Sequence, residues 1–431
     1  MQFVSTRGGA EPHSLSQALA AGLAPDGGLF VPQVFPGPLA GSPATTALPE
    51  VARWLLAPFF AGDMLEPALP AICSEALELP APLVPTDDPA LFLLELFHGP
   101  TAAFKDFGAR FLAACLARLR AADAPPLTIL VATSGDTGSA VAAAFHRRPG
   151  FRVVVLYPDG RVSPRQAHQL GAFGDNVHAF RVAGSFDDCQ TLVKAAFADT
   201  ALRAAVPLSS ANSISLGRLL PQMSYYAAAA LRWAQLHREP ASFAIPTGNL
   251  GNALACLWAR ALGLPIGAVA LATNANRVLP DFLASGDYAP RPSIATLANA
   301  MDVGAPNNLE RLRHLLPDHD RLQQAVQAAA FDDAELQRVM REAPARYGHV
   351  VCPHTAAALA WVEARRQQGD TRPWIAVATA HPAKFDSVVE PCIGRAVELP
   401  PALAELLARP ANAVPLAADH AALAAVLRGL D

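Results

Sequence analysis

Apolar positions along the 431-residue chain follow two rhythms. Up to about residue 85 they recur at helical spacing in short bursts, near 14–22, 49–61 and 68–78, between stretches rich in Pro and Gly. That pattern predicts a small, mainly helical N-terminal unit. From Leu91 onward, compact apolar runs alternate with helical segments. The runs LFLLEL (91–96), LTILVAT (127–133), RVVVLY (152–157), VHAFRV (177–182), SFAIPT (242–247), IGAVALA (266–272) and WIAVAT (374–379) predict strands. Segments 106–120, 137–147, 186–199, 214–236 and 251–262 predict helices. Continuously apolar strands separated by helices imply parallel sheets covered on both faces, an α/β fold. Two such groups, roughly 127–210 and 242–380, point to two lobes. The expected division is an N-terminal domain at 1–85 and a core at 86–431, with a smaller α/β lobe at about 106–212 and the larger lobe from the remainder.

Composition narrows the function. The net charge is −4, with both signs mixed along the chain, so neither nucleic acid nor anionic lipid is an expected partner. Each apolar stretch is interrupted before the ~18–20 residues a membrane span needs. The start, MQFVSTRGGAEPHS, lacks the basic and apolar regions of a secretory signal. The six cysteines form no CxxC pair, which fits free thiols in a reducing cytoplasm better than a disulfide framework or a metal site. Of 33 basic residues only Lys105, Lys194 and Lys384 are lysine. Arginine supplies charge equally well but cannot form an imine, so a lysine kept in such a chain points toward chemistry that needs an amine.

In ligand-binding α/β folds the chemistry gathers beyond the carboxyl ends of strands. Lys105 enters a helix whose Phe107, Phe111, Leu112 and Cys115 share one apolar face, placing its amine near a buried wall where desolvation favours the neutral form. Read alone, it could equally be a surface lysine at a helix start. Lys194 fits the solvated face of an amphipathic helix, whereas Lys384, just past a strand end, is a candidate for a supporting position. The loop TSGDTG (133–138) offers Thr133, Ser134 and Thr137 with glycines at a helix N-terminus, a cup suited to a carboxylate or to simple capping. Asp136 is the odd member, since it repels an anion unless it faces elsewhere. In PTGNLGN (246–252), Gly248 and Gly251 let the backbone approach a phosphate, and Asn249 and Asn252 can donate or cap. The absence of Walker and GxGxxG signatures argues against ATP and dinucleotides. Ser209, Ser210, Asn212 and Ser213 precede Arg218 and could clamp a second dianion, or cap a helix with an exposed arginine. Thr379 ends a very apolar strand where a hydroxyl could meet a heterocyclic nitrogen. His381, just beyond it, reads more readily as structural.

The ordered set AGLAPDGGLFVP, HGPTAAFKDFGARF, TSGDTGSA, SANSIS, PTGNLGN, NAMDVGAPNN and TAHPAKF resembles the threonine synthase family, within the fold-type II pyridoxal-phosphate enzymes. The N-terminal stretch, with HGPT ahead of FKD, separates it from cysteine synthases and serine dehydratases. The resemblance implies a two-lobed, tryptophan synthase β-like core behind a threonine-synthase-type N-terminal domain, acting in the cytoplasm as a monomer or homodimer. It implies pyridoxal 5'-phosphate on Lys105 as a Schiff base. Gly248, Asn249, Leu250, Gly251 and Asn252 would hold its phosphate, Thr379 would meet its pyridine nitrogen, and Asp136 would lie near its ring hydroxyl. Thr133, Ser134 and Thr137 would hold the substrate carboxylate, and Asn212, Ser213 and Arg218 the substrate phosphate. The implied reaction converts O-phospho-L-homoserine and water to L-threonine and phosphate. The alternatives are a lyase on phosphothreonine or a related amino acid, and a non-catalytic pyridoxal-phosphate binding protein.

Overall fold

All seven apolar runs become strands, and they pair into two sheets. In the computed structural model, which describes residues 1–430, the larger sheet has six strands. Their order is Gln327–Ala330, Ile266–Thr273, Ala241–Pro246, Trp374–Ala378, Leu91–Glu95 and Leu83–Pro85. All pairs are parallel except the last. The smaller sheet is parallel throughout, in the order Val414–Leu416, Val177–Val182, Phe151–Pro158, Leu127–Ala132 and Leu208–Ser209.

The period of two explains how both faces fill. From Ala241–Pro246, Phe243 and Ile245 join a core that includes Trp233 and Trp258 of the helices Gln222–His237 and Gly251–Ala261. Ala244, between them, turns to the opposite face, where Leu359 and Trp361 of Pro353–Gln367 close over it. The N-terminal unit pairs Phe3–Ser5 antiparallel with Phe30–Pro32 and adds helices Leu15–Ala21, Leu48–Phe60 and Leu69–Leu77. Its aromatic residues enter the core of the larger lobe: Phe59 stacks on Trp258 at 6.3 Å, and Phe60 meets Phe111 edge-on at 6.1 Å. Each such buried ring contributes on the order of 1.5–3 kcal/mol, so this unit shares one core with the lobe that carries the site.

The structure departs from the periodicity in two ways. The helix expected over 214–236 is two helices, Leu216–Leu219 and Gln222–His237, split at Pro221, whose ring and missing N–H break the backbone ladder. The small sheet also takes its edge strand from Val414–Leu416, well beyond residue 212, and helix His420–Gly429 packs there through Leu423 and Leu427. Three residues centred on Pro415 carry no readable period, and proline is tolerated in a strand chiefly at an edge. No helix among the described residues is long and apolar enough to cross a membrane.

Candidate active site

Two strand ends and one loop bring Lys105 to Thr379. Phe104 N donates to Thr379 O at 2.8 Å and His381 N donates to Ala102 O at 3.0 Å, with Ala103 bridged antiparallel to Ala380. This stitch holds Ala102 at φ 54°, an uncommon angle for a residue with a Cβ. Lys105 then starts the helix Lys105–Leu119 and faces the cleft between the sheets, as does Thr379. One turn on, Gly108 lets another chain segment touch this helix: a Cβ there would lie 2.8 Å from the carbonyl oxygen of Arg218. That approach puts Arg218 on the cleft wall beside Lys105.

The electrostatics follow from burial. Desolvation lowers the Lys105 amine to about 8, with Asp136 opposing the fall and Arg218 and Lys384 adding to it. Asp136 Oδ2 lies 3.9 Å from Lys105 Nζ, and its Oδ1 takes hydrogen bonds from Lys384 Nζ at 2.8 Å and Gln166 Nε2 at 2.9 Å. Burial acts to raise the Asp136 carboxyl, but the Lys384 and Lys105 ammoniums outweigh it and hold it well below the usual carboxylate range. Asp136 is therefore a carboxylate on the cleft wall whose charge is paired with Lys384. Burial pushes His354, also on the wall, down to about 4, and its Nε2 accepts from Ala300 N, so it is a neutral imidazole. His381 caps the turn Pro382–Phe385 by accepting from Ala383 N, a structural use.

The TSGDTG loop divides its hydroxyls. Thr133 accepts from Gly135 N at 3.0 Å and Gly138 N at 2.9 Å, so its side chain shapes the loop from beneath. Ser134 and Thr137 line the cleft instead. Gly135 sits at φ 133°, where a side chain would run into Gln166. Ser213 and Arg218 reach the cleft wall, whereas Asn212 is not among the residues that line it. Arg218 is almost wholly buried, and burial draws its guanidinium down to about 10. It donates to Ala211 O at 2.8 Å, keeps Nε unpartnered, and touches no carboxylate among the described residues. A buried cation without an anion is unfavourable, so this wall suits an anionic ligand.

The Gly248–Asn252 loop forms the second anion wall. A Cβ on Gly248 would lie 2.7 Å from Met301 Cα, so only glycine lets these two backbones meet. Leu250 adopts φ 66° at the N-cap of Gly251–Ala261, leaving that helix's first amides without a side-chain cap. Asn252 Oδ1 lies 2.6 and 2.9 Å from the hydroxyls of Tyr225 and Tyr226, and its buried Nδ2 has no partner. Asn249 and Asn308 tie the loop down. Asn249 Oδ1 accepts from Asn307 N, while Asn308 Nδ2 donates to Asn249 O at 3.0 Å. Arg311, fully buried, braces Asn308 and also donates to Ile214 O and to Phe30 O of the N-terminal unit.

The phosphate of pyridoxal 5'-phosphate fits this arrangement. Free helix amides and the Asn252 donor face one wall, an amine stands at the centre, and a strand-end hydroxyl stands at Thr379. A Gly248→Ala variant should lose cofactor affinity by about 100-fold, because a backbone cannot yield as a side chain can. A Cβ on Gly251 meets nothing closer than Asn308 Nδ2 at 3.4 Å, so Gly251→Ala should change affinity far less. Cofactor titration by absorbance compares the two; equal losses would remove the special role of Gly248.

His354, Gln222 and the wall at Ala300–Asn307 escaped the sequence reading. Each reaches the cleft from an element whose local pattern is that of an ordinary helix or loop. Only the NAMDVGAPNN resemblance hinted at the 299–308 segment.

Comparison with known proteins agrees with this geometry. Residues 75–382 match the family described as "Pyridoxal-phosphate dependent enzyme", residues 2–77 "Threonine synthase N terminus" and residues 355–427 "Threonine synthase, C-terminal". The chain is 41% identical to a threonine synthase of Serratia marcescens over 97% of both chains, and 40% identical to that of Escherichia coli over 96% of both. The Escherichia coli threonine synthase crystal structure superposes with a TM-score of 0.89 at 38% identity, covering 99% of each chain. A pyridoxal-phosphate-bound threonine synthase from Brucella melitensis gives 0.88 at 34% identity, again over 99% of each. With its cofactor walls, its buried amine and its N-terminal unit all in place, the chain belongs to the threonine synthase family of pyridoxal-phosphate enzymes.

Proposed function

We propose that this enzyme converts O-phospho-L-homoserine and water to L-threonine and phosphate. The observation that supports this reading most is one cleft holding a buried amine at Lys105 together with two adjoining anion walls, Gly248–Asn252 and Ser213 with Arg218, which meet where Asn249 Nδ2 donates to Ser213 Oγ. One wall suits the cofactor phosphate and the other a phosphorylated amino acid, whose carboxylate would meet Ser134 and Thr137.

Bound pyridoxal phosphate supplies an electron sink for charge developing at the substrate α and β carbons. Lys105 Nζ takes the α proton and later a β proton, and returns protons as the product forms. The Thr379 hydroxyl, unlike a carboxylate, would leave a pyridine nitrogen largely unprotonated. Arg218 and Ser213 hold the phosphate as it departs from the γ carbon, and water adds at the β carbon. Donors placed where charge develops typically give ~10²–10³ each in rate. We further infer that the enzyme works in the cytoplasm as a monomer or homodimer.

The test is to incubate purified enzyme with O-phospho-L-homoserine and quantify threonine and phosphate. Equal amounts of both are expected. Phosphate release only from phosphothreonine would move the reading to a lyase, and bound cofactor without turnover of either would indicate a binding protein.

Lys105 also predicts a pH dependence. An ordinary lysine amine stays charged to pH ~10.5, whereas this one becomes neutral above about 8. Uptake of cofactor by the cofactor-free enzyme needs the neutral amine. Its rate should rise about tenfold per pH unit below 8 and level off above it. Stopped-flow absorbance measures it, and a rise continuing to pH ~10 would show that burial does not depress this amine.

A further inference from the structure

Lys384 is the remaining buried lysine, and neither the anion walls nor the proton transfers use it. Its side chain is completely buried and does not line the cleft. Its Nζ makes two contacts, Asp136 Oδ1 at 2.8 Å and the Thr101 carbonyl at 2.7 Å. Thr101 in turn gives its N–H and O–H to Asp106 at 2.9 and 2.6 Å. The turn ahead of Lys105 is thus held between Asp106 on one side and Lys384 on the other. On the far side of Asp136, 3.9 Å away, stands the Lys105 amine. Without Lys384, the amine would face an uncompensated buried carboxylate. Without Asp136, it would face a buried ammonium.

We propose that Lys384 is a positioning residue which, through Asp136, sets the charge felt by Lys105: the pair presents the carboxylate to the amine as one end of a neutral dipole rather than as a net anion. This rests on Lys105 being the cofactor-bearing amine. Two consequences follow. Asp136 stays ionised beside the cofactor without pinning Lys105 in its charged form. The Pro382–Phe385 turn, one end of the larger lobe, is also locked to the Asp136–Phe145 helix of the smaller one. The other charged or titratable groups facing this cluster are the buried Asp106 beside Lys105, Arg218 from Leu216–Leu219, His354 from Pro353–Gln367, His381 ahead of Lys384, and Asp187 and Asp302 on the cleft wall. None of them lies within ion-pair distance of Lys105 or Lys384 among the described residues, so removing Lys384 leaves Lys105 as the one ion-pair partner of Asp136.

The signs of the variants separate this role from a merely structural one. The readout is the pH midpoint of the absorbance of the chromophore that the cofactor forms with Lys105, measured on intact holoenzyme. A second readout is the pH profile of amine acetylation at Lys105 in the full cofactor-free chain. With only three lysines, peptide mass spectrometry resolves each one, and Lys194 serves as reference. Lys384→Met should shift the Lys105 midpoint up by about one pH unit, and Asp136→Asn should shift it down by about one unit, as unit charges at such distances do. The double variant, which removes both charges together, should return to within about half a unit of the parent. Shifts of the same sign in both single variants, or an unmoved midpoint in both, would overturn the proposal. Should Lys384→Met fail to fold, the comparison of Asp136→Asn with the double variant decides alone. The midpoint must be lower in Asp136→Asn, where the unpaired ammonium remains, and equality sinks the idea. A parent enzyme without any Lys105-dependent chromophore would instead overturn the reading of the site itself.

Discussion

Lys105→Ala should abolish the cofactor chromophore and lower kcat by at least ~10⁴-fold, with threonine and phosphate falling together. The size of the loss follows from the several tasks that meet on one atom. In the proposed mechanism Lys105 Nζ is the amine that holds the cofactor, the base for two different carbons, and the acid that returns their protons. No neighbour can replace it. Lys384 is sealed behind Asp136, Arg218 cannot give up its proton, and His354 faces an amide N–H with a neutral ring. Lys105→Arg should be as inactive as Lys105→Ala although it keeps the charge, because a guanidinium forms no imine. Chromophore retained in either variant would place the cofactor on another residue.

Arg218→Ala should reduce kcat/KM for the phosphorylated substrate by about 10²–10³-fold while changing cofactor affinity by less than about threefold. Arg218 lines the cleft without belonging to the Gly248–Asn252 loop, and its only side-chain hydrogen bond among the described residues, to Ala211 O, belongs to the segment leading into its own helix. On the proposed assignment, its loss would remove the counter-charge of the substrate's phosphate and leave the cofactor cradle intact. Part of the effect should appear in kcat, since in the proposed mechanism the same guanidinium holds the phosphate as it leaves. Arg218→Lys should recover only a fraction, because an ammonium cannot offer two parallel N–H groups to a phosphate. Equal losses of cofactor and substrate affinity would mean that the arginine supports the fold of the cleft rather than the substrate.

Most candidate residues were legible because they stand where local sequence rules and chemistry coincide. Lys105, the TSGDTG loop, PTGNLGN and Thr379 each follow a strand end or open a helix, and glycine or hydroxyl residues mark such places without knowledge of the fold. The roles within a loop were less legible. Thr133 and Thr137 look interchangeable in the sequence. The backbone turn decides that the first is used up by Gly135 N and Gly138 N and that only the second lines the cleft. Asn212 and Ser213 are neighbours too, yet only Ser213 lines the cleft. The charge of Asp136 could not be judged either, since its partner Lys384 lies 248 positions away in the chain.

By itself, then, the sequence determined the alternation of strands and helices, the two sheets' central strands, the amine and the glycine loops, since each of these rests on spacing and side-chain type within a few residues. Tertiary structure alone decided what those groups face. It brought Arg218 against Gly108, set Met301 over Gly248, ran Arg311 between Phe30 and Asn308, and sealed Lys384 behind Asp136. It also returned Val414–Leu416 to the smaller sheet. The physical reason is common to all of these. Desolvation and close approach depend on which distant surfaces pack together, and no local periodicity encodes a contact between elements far apart in the chain.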